Sequence, residues 1–116
     1  MSTRQPRPTD FEVPVEGVGN FLFARRTLAD ELAVQREYAR IIDGVENPTE
    51  WLATMAGWLS VLRTITIRAP EGWSLDDMDP LDPATYEKLF KVYSALRDKE
   101  GSFRPGLGKE SQAVSA

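Results

Sequence analysis

The sequence predicts a mainly α-helical fold: a small domain of three to four helices with a short N-terminal β-hairpin. Three observations predict it. Apolar residues recur at helical spacing from Leu28 to Ile42, an uncharged apolar run extends from Trp51 to Leu62, and a second amphipathic repeat runs from Tyr86 to Leu96. At 116 residues the chain has the size of one domain with one core. Its ends carry few apolar side chains, so residues 1–10 read as a flexible arm, 11–103 as the folding unit and 104–116 as a flexible tail.

Taken in order, FEVPV alternates apolar with other residues, EGVGN supplies turn chemistry and FLFARRT is again β-prone, which makes Phe11 to Thr27 a hairpin. Pro14 places the first strand at an edge, where its missing donor does no harm. A helix follows, with Thr27 as N-cap and Gly44 as the left-handed stop. Leu28, Leu32, Tyr38, Ala39, Ile41 and Ile42 share half of its wheel, opposite Asp30, Arg36, Glu37 and Arg40. Asn47 as cap with Pro48 at the first helical position starts the next helix. No residue from Trp51 to Leu62 is charged, so this helix is expected to be the most buried. Its end is open to two readings, because the β-branched Thr64 to Ile67 can continue as a strand. The acid-rich connection after Pro70 leaves room for one short helical turn. Asp82 then caps and Pro83 opens a helix to Gly101, with Tyr86, Leu89, Phe90, Val92, Tyr93 and Leu96 on its inner face.

The composition narrows the chemistry. Without cysteine there is no disulfide, thiolate nucleophile or cysteine-ligated zinc, and without histidine the usual base near neutral pH and the commonest metal ligand are missing. The formal charge of −4 is spread along the chain, which supplies no single-sign field for nucleic acid or an anionic membrane. No stretch approaches the roughly 18 apolar residues of a membrane span. MSTRQPRPTDFEV lacks the apolar segment of a signal peptide, so a cytoplasmic location is expected. Glu71, Asp76, Asp77, Asp79 and Asp82 are the one concentration of acids. Counting a calcium loop from Asp77 puts Asp82 where glycine is required and Lys88 where the bidentate glutamate belongs. Asp77 and Asp79 as a hydrolytic pair lack any supporting cleft signal. Gly17-Val18-Gly19 has neither the following helix nor the lysine of a phosphate loop. Arg25 and Arg26 read as surface residues paired with neighbours such as Asp30. No catalytic residue, cofactor or metal is expected.

The surplus lies in apolar surface. Trp51, Met55, Trp58, Leu62 and Ile65 form one stripe of the second helix, and Leu52 and Leu59 form another. One reading is core packing throughout. The other is part core and part docking surface for an amphipathic helix or a second copy, with Tyr86, Phe90 and Tyr93 as the opposite wall. The partner-binding candidates are therefore Trp51, Leu52, Met55, Trp58, Leu59, Leu62, Tyr86, Phe90 and Tyr93.

The layout also resembles a known family. FLFARRTLADELAVQREYARI, a Trp-rich PTEWLATMAGWLSVL, the loop Pro70-Glu71-Gly72-Trp73, the acidic Asp79-Pro80-Leu81-Asp82-Pro83 and a terminal YSALRDKEGSFR are similar to the tail assembly chaperones of long-tailed bacteriophages, over Phe21 to Arg104. The resemblance implies a small helical protein of the host cytoplasm, absent from the mature virion. It would bind apolar helical segments of the tape-measure protein and help recruit tail-tube subunits. No catalytic residues come with the family. Two other readings fit the same composition: a head-tail connector or tail-completion protein retained in the particle, and a small helical inhibitor of a host protein that uses the acidic loop.

Overall fold

The computed structural model describes residues 5–103. Among the residues read as an arm, Arg7 to Asp10 form a turn, exposed up to half-buried Asp10, in which the Asp10 amide donates to the Arg7 carbonyl at 3.0 Å. Residues 1–4 of that arm and the tail 104–116 lie outside the described residues.

Strands β1 (Phe11–Val15) and β2 (Gly19–Phe23) pair antiparallel with Val13 opposite Phe21. Gly17 has φ +80 at the third position of the connecting turn, which is the conformation a type II turn requires there. Strand alternation buries Val13, Val15, Phe21 and Phe23 on one face and exposes Glu12, Pro14 and Asn20 on the other. Pro14 lies in the outer strand, as its chemistry demands.

Helix α1 (Leu28–Ile41) begins with a full capping box: the Thr27 hydroxyl accepts from the Asp30 amide, and the Asp30 carboxylate accepts from the Thr27 amide. Its inner face differs from the expected one. Leu28 and Leu32 are 78% and 53% exposed, while Val34 is buried and Asp30 is drawn inward by its capping role. Where α1 packs against α2, Val34 is the residue it sends into the core, not the wider apolar half of the wheel.

Helix α2 (Glu50–Ile65) starts two residues later than expected. Thr49, not Asn47, is the cap, because its hydroxyl accepts from the Leu52 amide at 3.1 Å. Met55, Ala56, Ser60, Val61, Leu62 and Ile65 are buried, more than either other helix contributes. The chain then passes directly into β3 (Thr66–Arg68), which pairs antiparallel with the free side of β2.

This strand overturns the mainly α expectation. The fold is a small α+β domain of three helices and a three-stranded antiparallel sheet in the order β1-β2-β3. A two-stranded hairpin is marginal and leaves a row of unpaired backbone groups. The β-branched Thr66 and Ile67 take that edge, and the Ala24 amide donates to the Ile65 carbonyl at 2.8 Å to begin the pairing. A single 3-10 turn spans Leu75–Asp77. Helix α3 (Pro83–Ser102) opens on Asp82, whose carboxylate accepts from the Ala84 amide, with Pro83 at its first position. Its buried residues Leu89, Val92 and Leu96 meet Phe21, Phe23, Leu62 and Ile65 in one core between the sheet and the helices.

Candidate partner-binding face

The structure divides the nine candidate residues into three groups. Met55 (7% exposed) and Leu62 (1%) belong to the core and offer nothing to a partner. Leu52, Leu59 and Tyr86 are half-buried, and the Tyr86 hydroxyl donates to the Pro80 carbonyl at 2.8 Å, which ties α3 to the loop before it. The remaining four are aromatic. The Trp58 ring lies 5.9 Å from Phe90 and 6.0 Å from Tyr93 between centroids, so α2 and α3 meet at the surface through rings. Phe90 is 57% exposed, and Trp51, two turns back from Trp58 on the same stripe, is 55% exposed. Of the expected opposite walls, the rings brought together are Trp58 with Phe90 and Tyr93.

The reason is geometric. Toward its C-terminal end α2 is enclosed by the sheet, α1 and α3, whereas Glu50, Trp51 and Thr54 in its first turns are exposed. The apolar stripe therefore begins as surface and ends as core. Exposed Glu87 and Lys91 on α3, one before and one after Phe90, rim the face with charges of both signs.

Sequence reasoning missed the clasp and the cleft beside it. Arg26 donates to Glu31 at 2.9 Å and to both oxygens of Glu100 at 3.1 and 3.0 Å. Arg25, its neighbour, stacks 4.3 Å over the Phe103 ring. Together with Val34, Tyr38, Ser60 and Tyr93 these residues border an open cleft of about 590 Å³ between the three helices. Nothing local signals a pair separated by 74 positions. The Gln35 side-chain amide, then the Arg26 guanidinium, hold the Glu31 carboxyl below its ordinary range. Arg40, joined by Arg63, does the same to Glu37.

Four of the five acids of the loop have structural partners. Asp76 receives Arg63, Asp77 receives the Ser74 hydroxyl, Asp79 accepts from the Leu81 amide and Asp82 caps α3. Among the described residues, no group of three or more His, Cys, Asp or Glu is placed to hold a metal ion, and no helix is long and apolar enough to cross a membrane. Compared with protein-family models, curated proteins and solved structures, the chain matches none.

Proposed function

We propose that this chain is a non-enzymatic binding protein, a tail assembly chaperone of a long-tailed bacteriophage, which holds apolar helical segments of the tape-measure protein in the host cytoplasm until tail-tube subunits replace it. The observation that carries the reading is exposed aromatic surface on two helices: Phe90, whose ring meets Trp58 beside Tyr93, and Trp51, two turns along α2 from Trp58. Large aromatic side chains left in water, on helices and within a charged rim, suit capture of another helix by its apolar face. A chain with no histidine and no cysteine carries little that would make this face a catalytic one. The layout shared with the chaperone family supplies the identity of the partner.

Coexpression with overlapping tape-measure fragments tests the proposal. At least one apolar helical fragment is expected to copurify with the folded chain, and mass spectrometry of purified virions is expected to find the chain missing. Stoichiometric presence in the particle, or failure to retain any fragment, would overturn it in favour of a retained connector or an unrelated binder.

A further inference from the structure

Helix α1 carries a second, mostly apolar stripe, offset round the helix from buried Val34. Leu28, Leu32, Gln35, Ala39 and Ile42 follow one another at intervals of four, three, four and three residues. This is the 3.5-residue repeat of a helix that meets another along a seam. Leu28 is 78% and Leu32 53% exposed, Gln35 and Ala39 are exposed, and Ile42, the C-cap, is half-buried. Val34, the buried apolar residue of the helix, lies about 120° round the axis from Leu28 at 3.6 residues per turn. The stripe is therefore centred away from Val34, and only Gln35 reaches the rim of the cleft that Val34 and Tyr93 also border.

We infer that this stripe is the seam of a parallel, two-fold homodimer in which α1 of one copy lies along α1 of a second. The flanking charges select both the occupant and its direction. With Leu28, Gln35 and Ile42 at d positions and Leu32 and Ala39 at a positions, Glu31 falls at g and Arg36 at the following e. In a parallel pair these two residues meet across the seam, twice by symmetry. The antiparallel register that aligns the same apolar residues sets Arg36 against its own copy, which is repulsive. Arg36 forms no ion pair or hydrogen bond among the described residues, so it is available for the contact. Glu31 already accepts from Arg26 and Gln35, and a carboxylate has room for a third donor. Gln35, polar and central, fixes register at a cost in affinity, as a lone polar residue in such a seam does. The helix has 14 residues, two heptads, so the dimer is reversible and its population rises with concentration.

The chain has no cysteine, so an introduced thiol is the sole reporter. In the full-length chain, Leu32→Cys sets residue 32 against itself across a parallel seam and is expected to form a covalent dimer under mild oxidation. Asp98→Cys, exposed on α3, measures random collision and is expected to remain monomeric under the same conditions. Gln35→Leu alters an exposed position, leaves folding intact and is expected to tighten the dimer about tenfold in sedimentation equilibrium. Phe90→Asp is expected to leave Leu32→Cys crosslinking unchanged, which separates this seam from the aromatic face and its proposed partner. A chain that sediments as a monomer at every concentration, a Leu32→Cys chain that crosslinks no faster than Asp98→Cys, or one that crosslinks only with Ala39→Cys would overturn the inference.

Discussion

Arg26 grips Glu100 with two parallel hydrogen bonds, Nε to Oε2 at 3.1 Å and Nη2 to Oε1 at 3.0 Å. This fastens the link between β2 and α1 to the last turns of α3. The two side chains are only 16% and 12% exposed, and a paired fork in that setting resists both water and salt. Replacing Glu100 with Ala leaves Arg26 with one partner in a half-dry site. The expected loss is about 1.5–3 kcal/mol in urea unfolding. Arg97 also reaches Glu100 but is 42% exposed, so Arg97→Ala is expected to cost under about 1 kcal/mol.

Two glycines give opposite expectations. At Gly19 the backbone has φ +140, and an added Cβ would sit 2.6 Å from Cβ of Pro70, so the tip of the hairpin and the loop after β3 touch through a missing side chain. Gly19→Ala is expected to destabilise by about 1–3 kcal/mol. Gly57 lies inside α2 with nothing within 4 Å of an added Cβ, and Gly57→Ala is expected to stabilise by about 0.5–1 kcal/mol. Thermal melts of the two variants beside the parent chain check both signs.

Acid is expected to weaken the fold through Glu31 and Glu37. Both carboxyls titrate below their ordinary value in the folded chain, Glu31 through Gln35 and Arg26 and Glu37 through Arg40 and Arg63. A carboxyl depressed by folding stabilises above its unfolded value, about 4.3 for glutamate, and that contribution disappears as pH falls through the lower folded value. Stability measured from pH 6 down to about pH 3 should therefore decline below about 4.3. Gln35→Leu removes the largest cause at Glu31 and is expected to flatten part of that decline. An unchanged slope in the variant would show that the Gln35 bond is not what holds Glu31 ionised.

Most parts of the fold fixed by neighbours in sequence were legible, the Asn47-Pro48 start that gave way to a Thr49 cap excepted, and the parts fixed by distant residues were not. Thr27 as a cap, Asp82 with Pro83 and the turn at Gly17 act within three residues, and the structure has each where its chemistry points, whereas Asp30, read as an outward residue, turns in to complete the capping box. Thr64 to Ile67 was ambiguous for a physical reason: the same β-branched residues end a helix as Thr64 and Ile65 and begin a strand as Thr66 and Ile67. Only the vacant edge of β2 decides between them, and no window of sequence contains that edge. The outward turn of Leu28 and Leu32 escaped notice because periodicity defines a stripe without saying which neighbour covers it. The candidate binding face was half legible for a related reason. Aromatic spacing finds Trp51, Trp58, Phe90 and Tyr93, but cannot tell them from Met55 and Leu62, which the core takes.

The exposed aromatic surface of α2 and α3 is proposed to capture an apolar helix. The most direct test is the affinity of a tape-measure helical segment for the parent chain, for Trp51→Asp and for Phe90→Asp, with far-ultraviolet circular dichroism and urea midpoints recorded on each. Both substitutions fall at positions more than half exposed, so folding should survive them. The affinity is expected to drop tenfold or more, about 1.4 kcal/mol, whereas Glu12→Lys on the outer face of the sheet should bind as the parent does. Parent-like affinity in both folded aromatic variants would contradict the claim.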